Sequence, residues 1–369
     1  MPLFPALRHH PDVIGPSGIR PTFCLILIDT QQCVHLSYPA ENHFPLRPYK
    51  TFLRIHPMHS AVMAGMKKTK IHMTRRTFLR LGILGGLGLV GGKGFINSRR
   101  LELARLRVNV PRLPAAFDGL KVGQVTDIHA GPLVPSELIH EGVDLIAQAN
   151  PDLIVLTGDF VSGATRFLWT TYGGFKPRHL KECTKALSAL KAPLGVYGVL
   201  GNHDFWSGPK VLKQIVYGLE QAGVRLLRNE TVPLEKDGQR LRLVGVDDYW
   251  EGSYSLDRAL RGTRKTTCRV LLSHNPDVNE DIELIKEPID LVISGHTHGG
   301  QVVLPLIGAL YLPSPFGQKY RSGLVRDGSR QTYVSRGLGL FFVPVRINCP
   351  ADVSLLTLRR GPIEATTFS

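Results

Sequence analysis

Residues 291–300 read Leu-Val-Ile-Ser-Gly-His-Thr-His-Gly-Gly, an apolar run that ends in two histidines flanked by glycine. The run is short, rich in branched side chains and bounded by glycine, which predicts a buried strand at Leu291–Ser294. Alternate residues of an extended backbone point the same way, so His296 and His298 can offer two ligands on one side. Because α/β folds place ligand sites at the carboxyl ends of strands, this stretch predicts a functional loop.

Four more segments repeat this arrangement, each directly after an apolar run. In chain order they are Asp127-Ile128-His129, Gly158-Asp159, Gly201-Asn202-His203-Asp204 and Ser273-His274-Asn275. Imidazole, carboxylate and amide groups are ligands of divalent metals of borderline hardness, and burying them together without a cation is costly. One such segment is commonplace, and a lone histidine in a loop is usually a surface residue. Five in this order over about 170 residues predict one metal site.

The body of the chain, from residue 101 onward, alternates short apolar runs with amphipathic segments before a strand-rich end. Strands are predicted at 121–126, Leu153–Thr157, 195–200, 241–246, 269–273, Leu291–Ser294, 301–304, 332–335 and 353–358. Helices are predicted at 136–150, 180–190, 210–222 and 278–286. This order predicts a layered α/β fold with two packed sheets, and residues 101–369 are interpreted as one catalytic domain.

The positive charge of the chain is concentrated at its beginning. The 369 residues carry 45 Lys and Arg against 30 Asp and Glu, but residues 1–100 alone hold 14 against 3. A nucleic-acid interface would place its basic excess on the folded body. We therefore expect no nucleic-acid partner, and the ordinary hydrophobic content of 43% excludes a disordered chain or a multi-span membrane protein.

Residues 1–65 show no helical or strand period. They are interpreted as a doubtful N-terminal extension. Two explanations are open, a disordered extension and a gene whose translation starts at Met63, Met66 or Met73. The second is favoured because the following residues read as a proper N-terminus.

Residues 66–100 resemble a twin-arginine export signal or anchor. Lys67, Lys68 and Lys70 precede Arg75-Arg76-Thr77-Phe78-Leu79, and a glycine-rich apolar run follows over 81–92. A basic region before a short apolar region is typical of an export signal, although a basic amphipathic helix shares part of this pattern. Twelve residues, six of them glycine, are too few to cross a bilayer as a helix, which takes about 20. Cleavage stays open, and an uncleaved leader would hold the protein at the membrane.

Taken together, the five motifs resemble the calcineurin-like metallophosphoesterase superfamily over residues 118–358. The segments 271–277 and 298–301 resemble a bacterial branch of exported or membrane-associated phosphodiesterases. The resemblance implies a four-layer α/β/β/α sandwich with a dinuclear metal centre at the strand ends. It implies two divalent ions, and Mn²⁺, Fe and Zn²⁺ all suit such ligands.

Each motif position of the superfamily is filled in this chain. The resemblance assigns to one metal Asp127, His129, Asp159 and His298. It assigns to the second metal Asp159, Asn202, His274 and His296. His203 is implied to face the substrate as a catalytic residue, and Asp204 is implied to orient it.

The implied activity is hydrolysis of a phosphodiester or pyrophosphate bond by attack of a metal-bridging hydroxide. A lipid-linked or nucleotide-linked phosphate ester is the expected substrate class. The alternatives are a phosphomonoesterase or protein phosphatase, and a non-catalytic metal-binding scaffold. The expected partners are the substrate, the twin-arginine export machinery and a membrane surface. The expected location is the outer face of the cytoplasmic membrane or the periplasm.

Three further segments are candidates for the wall of the site. The aromatic residues of 166–177 predict either an Ω-loop or a membrane-facing lip, and Phe205 with Trp206 adds apolar surface. Residues 339–343 could line the site but are more typical of a core strand. Arg321 and Arg336 could bind a second phosphate, although exposed structural roles are more usual.

Overall fold

The computed structural model describes residues 100–363, apart from 164, 168–169, 173–175 and 342–343. The expected extension over 1–65 and the expected signal over 66–99 lie outside the described residues. So do the side chains of 164–175, including the aromatic ones named above.

A first mixed sheet holds six strands in the order β1-β16-β2-β3-β6-β7. Their bounds are β1 Leu101–Val110, β2 Leu120–Val125, β3 Leu153–Thr157, β6 Val196–Val199, β7 Arg225–Leu226 and β16 Ala351–Arg360. β1 pairs in parallel with β16, from Leu101 opposite Ala351 to Val110 opposite Arg360. β16 runs antiparallel to β2, and β2, β3, β6 and β7 are parallel neighbours.

A second mixed sheet holds six strands in the order β14-β15-β11-β10-β9-β8. Their bounds are β8 Glu230–Lys236, β9 Gln239–Gly245, β10 Arg269–Leu272, β11 Leu291–Ser294, β14 Gly323–Asp327 and β15 Arg330–Val334. The four inner strands β9, β10, β11 and β15 are parallel, and antiparallel hairpins add β8 and β14. Two small hairpins stand apart, β4 Thr165–Phe167 with β5 Thr170–Tyr172, and β12 Val303–Leu304 with β13 Gly308–Ala309.

Helices cover the outer faces of the two sheets. They are α1 Ser136–Gln148, α2 Pro177–Leu187, α3 Asn202–Trp206, α4 Pro209–Gln221, α5 Leu256–Leu260 and α6 Val278–Ile285. Proline at the first position of α2 and α4 suits a helix start, because the missing N–H has no partner there anyway. Within the described part of the chain, no helix combines the length and apolarity needed to cross a membrane.

Three apolar clusters separate four layers. The cluster between the sheets includes Val122, Val155, Leu243, Val270 and Leu356. A second cluster packs α1, α2 and α4 on the first sheet, and a third packs α5 and α6 on the second. Burying each large side chain contributes about 1.5–3 kcal/mol, so these interfaces hold the layers together. The predicted α/β sandwich of two sheets is confirmed.

The structure differs from the sequence expectations in three places. The segment 166–177 contains the β4–β5 hairpin in place of the Ω-loop alternative, and the membrane-facing lip stays a prediction. For 339–343 the core-strand alternative is wrong, because its described residues form a loop beside the site, where the other alternative, a wall of the site, places them. The strand expected at 301–304 is limited to Val303–Leu304, because Gln301 adopts a left-handed backbone with φ 51°.

Candidate metal centre

The polar motifs meet because five parallel strands end at one shared edge of the two sheets. Asp127, Asp159 and Asn202 follow β2, β3 and β6 of the first sheet. His274 and His296 follow β10 and β11 of the second. Backbone hydrogen bonds join adjacent loops within each sheet, for example the N–H of Asp127 to the Gly158 carbonyl at 3.0 Å. The predicted position of the site, at carboxyl ends of strands, is where the structure places these residues.

One half of the centre consists of Asp127, His129 and His298 around one carboxylate oxygen of Asp159. Nε2 of His129 lies 3.0 Å from Nε2 of His298 and 3.4 Å from Oδ2 of Asp159. Nε2 of His298 lies 3.4 Å from Oδ1 of Asp127. Each of these side chains is almost wholly buried.

The other half consists of Asn202, His274 and His296 around the same Asp159 oxygen. Nε2 of His274 lies 3.2 Å from Oδ2 of Asp159, 3.1 Å from Oδ1 of Asn202 and 3.2 Å from Nδ1 of His296. Oδ2 of Asp159 therefore faces ring nitrogens of both halves. All seven side chains assigned to metals by the resemblance are brought together, and triads of them can hold a metal ion.

Backbone carbonyls set the tautomers of two of these histidines. Nδ1 of His274 donates to the carbonyl of Thr157 at 2.7 Å, and Nε2 of His296 donates to the carbonyl of Pro313 at 3.0 Å. The remaining nitrogens, Nε2 of His274 and Nδ1 of His296, face one another at 3.2 Å and point into the ligand cluster. The donor set therefore fits a divalent metal.

The backbone of the centre is held in an unusual conformation. Left-handed φ values occur at Asp127 (51°), His129 (46°), Asp159 (56°), His296 (73°) and His298 (51°). Residues with a side chain enter this region at a cost of about 1–3 kcal/mol and cluster at functional sites. This conformation turns the side chains out of the regular strand direction and into the shared edge.

Glycines make room for two carboxylates. A Cβ atom on Gly295 would overlap Oδ2 of Asp127, and a Cβ atom on Gly201 would overlap Oδ1 of Asp159. Only glycine lets the backbone approach these oxygens so closely. The glycines that flank the motifs in the sequence thus have a steric reason at these two positions.

The electrostatics of the site favour added positive charge. Burial raises the pKa of Asp127 to about 7 and lowers the pKa of His129 to about 3. Burial alone would raise the pKa of Asp159 and lower the pKa of His274, but the attraction between the two charged groups outweighs burial. It holds the pKa of Asp159 well below its usual range and raises the pKa of His274 to about 10. Buried carboxylates with too few cationic partners are stabilised by bound metal ions.

His203 lies against the first half of the centre. Its ring centroid is 4.5 Å from that of His129 and 4.4 Å from that of Trp206. Nδ1 of His203 is buried, and none of the described residues forms a hydrogen bond with it. The imidazole thus borders the ligand cluster with one nitrogen left for another group.

Asp204 has different contacts from those implied by the sequence resemblance. Its carboxylate accepts hydrogen bonds from the N–H groups of Gly201 (3.0 Å), Asp159 (3.1 Å), Phe160 (2.9 Å) and Val161 (3.4 Å). None of the described hydrogen bonds joins Asp204 to His203. Burial raises the pKa of Asp204 to about 7, and the Gly201 and Phe160 donors oppose that rise. Asp204 therefore ties together the loops after β3 and β6.

Two residues of the site, Trp250 and Asp248, were not predicted from the sequence, whereas Phe341 belongs to the segment 339–343 that was a candidate wall of the site. Phe341 stacks on His298 with ring centroids 5.7 Å apart, and the Trp250 ring meets His296 edge-on at 4.5 Å. Asp248 is buried at the same edge, and its negative charge helps to raise the pKa of His274. Position after a strand was a usable signal for Asp248, because it follows β9. No sequence pattern indicated the contact of the Trp250 ring with His296.

The two arginine candidates differ in their partners. Arg336 is bound to Asp352 at 2.7 Å and to Glu102 at 3.0 Å, so its guanidinium has a structural role. Arg321 accepts a hydrogen bond at its carbonyl from the Thr297 hydroxyl, and its side chain forms no ion pair with the described residues.

Two facing sheets with this cluster at their shared edge define a metal-dependent phosphoesterase. Residues 120–300 match the family described as Calcineurin-like phosphoesterase. YkuE of Bacillus subtilis (strain 168), described as an uncharacterized metallophosphoesterase, is 30% identical over 297 residues, 78% of this chain and 98% of that protein. The chain belongs to the calcineurin-like phosphoesterase family, and it is a hydrolase of phosphoric esters.

Two other relatives carry more specific names. Phosphodiesterase YaeI of Escherichia coli (strain K12) is 31% identical over 238 residues, which cover 64% of this chain and 82% of that protein. A Danio rerio protein described as a transmembrane protein with metallophosphoesterase domain is 26% identical over 299 residues, 78% of this chain and 63% of that protein.

Proposed function

We propose that this protein hydrolyses a phosphodiester or pyrophosphate bond with the help of two divalent cations. The observation that carries the proposal is the position of Asp159. Its Oδ2 atom lies 3.4 Å from Nε2 of His129 and 3.2 Å from Nε2 of His274, between two sets of ligands. One carboxylate shared in this way suits a pair of cations.

Two groups of residues would hold the two cations. Asp127, His129 and His298 would hold one cation, and Asn202, His274 and His296 the other. When bound, such cations supply positive charge to the phosphate oxygens and lower the pKa of a water molecule.

His203 borders the cluster and would donate its N–H to a phosphate oxygen or to the departing oxygen. Asp204 would act as a positioning residue, because it fixes the loops that carry Asp159 and Asn202.

A diester suits the site better than a monoester. Phe341, Trp206 and Trp250 border the ligand cluster, and the two tryptophans are partly exposed. An apolar or aromatic border favours a substrate with an organic group on the phosphate. The name of YaeI, a phosphodiesterase, supports the same reaction. A lipid-linked or nucleotide-linked phosphate ester is the substrate class that we propose.

Export to the outer face of the cytoplasmic membrane or the periplasm is part of the proposal. The basic and apolar pattern of 66–92 supports passage through the twin-arginine machinery. The name of the Danio rerio relative supports an association of this kind of domain with membranes. Mn²⁺, Fe and Zn²⁺ are the candidate metals.

The test is an assay of the full chain with Mn²⁺ on bis-p-nitrophenyl phosphate and on p-nitrophenyl phosphate, with metal content measured in parallel. Asp159→Ala should lower the diester rate at least about a thousandfold, because both cations lose a ligand. Asp144→Ala, an exposed aspartate on α1, is the matched control and should keep the rate of the parent protein.

Other results would redirect the proposal. A strong preference for the monoester would indicate a phosphomonoesterase or a protein phosphatase. Bound metal with no hydrolysis of either ester would indicate a metal-binding scaffold. A folded protein that binds no metal even in added Mn²⁺ would contradict the central claim.

A further inference from the structure

An exposed apolar hairpin stands at the rim of the metal centre. It consists of β12, β13 and the residues around them, 302–312, and it contains no charged side chain. Leu306 at its tip is fully exposed, and Ile307 and Leu310 are 67% and 60% exposed. Contiguous exposed apolar residues of this kind mark interaction surfaces.

The apolar hairpin is joined to the ligands of the centre. The Pro313 carbonyl, directly after the hairpin, accepts a hydrogen bond from the ring Nε2–H of His296 at 3.0 Å. Ala309 of β13 lies so close to Gly300 that a Cβ atom on Gly300 would overlap its methyl group. A surface that receives the hairpin therefore also lies next to the loop that carries His296 and His298.

The described chain begins at the same edge. β1 starts at Leu101, and Glu102 binds Arg336, whose side chain lies against Gly299 beside the His298 ligand. The apolar run 81–92 ends eight residues before Arg100. Eight extended residues reach at most about 28 Å, so a leader held in a membrane keeps this edge close to it.

The charges near the hairpin leave Arg321 as an unpaired basic group among the described residues. No Asp or Glu occurs between Asp290 and Asp327 in the sequence, although the Ser314 hydroxyl just after the hairpin donates to Asp277 at 2.7 Å. Lys319 is bound to Glu280 and Asp327, whereas Arg321 has no ion pair with the described residues. Apolar side chains flanked by basic ones are attracted to bilayers that contain anionic lipids.

We propose that the apolar hairpin inserts its tip into an anionic bilayer and turns the metal centre toward the lipid surface. This inference rests on the membrane location given under the proposed function. It adds the surface that makes the contact, and it gives a lipid-linked substrate a short path to the ligands.

The test places a fluorescent probe at the tip in the full chain. Cys24 and Cys33 are replaced by serine, the three buried cysteines are kept, and the probe is attached at Ile307→Cys. Tyr217→Cys on α4, which is 65% exposed, carries the probe in the matched control. Leu310→Cys provides a second probe in the hairpin.

The labelled proteins are mixed with vesicles of phosphatidylcholine and phosphatidylglycerol whose brominated acyl chains quench fluorescence. The Ile307→Cys and Leu310→Cys probes should lose at least about half of their emission on these vesicles, because insertion brings them to the acyl chains. The Tyr217→Cys probe should keep its emission. Hydrolysis of soluble bis-p-nitrophenyl phosphate, measured on each labelled protein, should match the unlabelled parent.

Three results would overturn the proposal. The first is no quenching of the hairpin probes, and the second is equal quenching at all three positions. The third is a hairpin probe that becomes shielded from solvent in the absence of vesicles, to a degree that increases with protein concentration. The last result would indicate contact with a second copy of the chain. Quenching confined to the hairpin without any ester hydrolysis would support the docking surface and contradict the proposed activity, so the two failures are distinguishable.

Discussion

The space between the two sheets and the edge where their strands end are both buried, yet they are built in opposite ways. Between the sheets, residues such as Leu243 and Leu356 have regular strand backbones and pack within one apolar cluster. At the edge, Asp127 and Asp159 are equally buried but polar, and their backbones are left-handed. Burial of the apolar interior stabilises the folded state. Burial of the polar groups at the strand ends destabilises it, but it places the ligands of a metal site together.

This difference predicts that stability and activity respond separately to substitution. Truncating an apolar side chain in the interior removes buried contacts and leaves a cavity, so it lowers the stability of the whole domain. Groups at the edge must keep their positions within a fraction of an ångström to serve the chemistry. Three substitutions test whether the two regions respond separately.

Asp204→Asn should have the largest effect, because it lies beneath the edge and serves both stability and activity. The amide keeps one acceptor oxygen, so two of the four N–H groups would face an NH2 group. About 4 kcal/mol of unfolding free energy should be lost, because this loss outweighs the gain from no longer burying a carboxylate. Metal affinity should fall about 10- to 100-fold. Denaturant unfolding and metal titration measure the two losses. Unchanged metal affinity would show that the loops do not depend on this carboxylate.

Leu356→Ala tests the interior alone. Leu356 is fully buried in β16 opposite Val122, and its truncation should cost about 3 kcal/mol of unfolding free energy. The diester rate per folded molecule should stay at the level of the parent protein, because the side chain is remote from the ligands. A fall in that rate at temperatures where the variant is fully folded would contradict the separation.

Asp277→Asn should have the smallest effect and depend on pH. Burial raises the pKa of Asp277 to about 6, so the folded state holds this proton more tightly than the unfolded chain. Stability is therefore lost as pH rises from about 4 to about 6, and the loss is constant above that. Asparagine cannot ionise, so the variant should be more stable than the parent by about 2 kcal/mol at pH 7. An equal difference at pH 4 and pH 7 would contradict this origin.

The strands that the sequence predicted best are the buried parallel ones. β3 and β11 have the bounds that their uninterrupted apolar runs predict. β1 was not predicted, because Arg105 followed by Leu106 breaks its period-two alternation. Its pairing with β16 is also a contact between residues about 250 positions apart, which no local pattern records.

The ligand cluster could be predicted because its histidine, aspartate and asparagine residues are typical metal ligands and because each motif directly follows a predicted strand. Phe341 was predicted only as part of a segment, 339–343, that could line the site. Its stacking on His298 could not be predicted, because it depends on a loop that folds back over that ring. Asp204 shows a similar limit. The resemblance implied that it orients the His203 imidazole, whereas the helix start turns its carboxylate toward backbone N–H groups.

The position of β16 between β1 and β2 has a consequence for synthesis of the chain. At ordinary translation rates, β1 leaves the ribosome about 10–50 seconds before its partner strand exists. During that interval an exposed strand edge invites wrong pairing with other chains. Glu102, Arg105 and Arg107 place charges along β1, and such charges discourage that pairing until the last strand arrives.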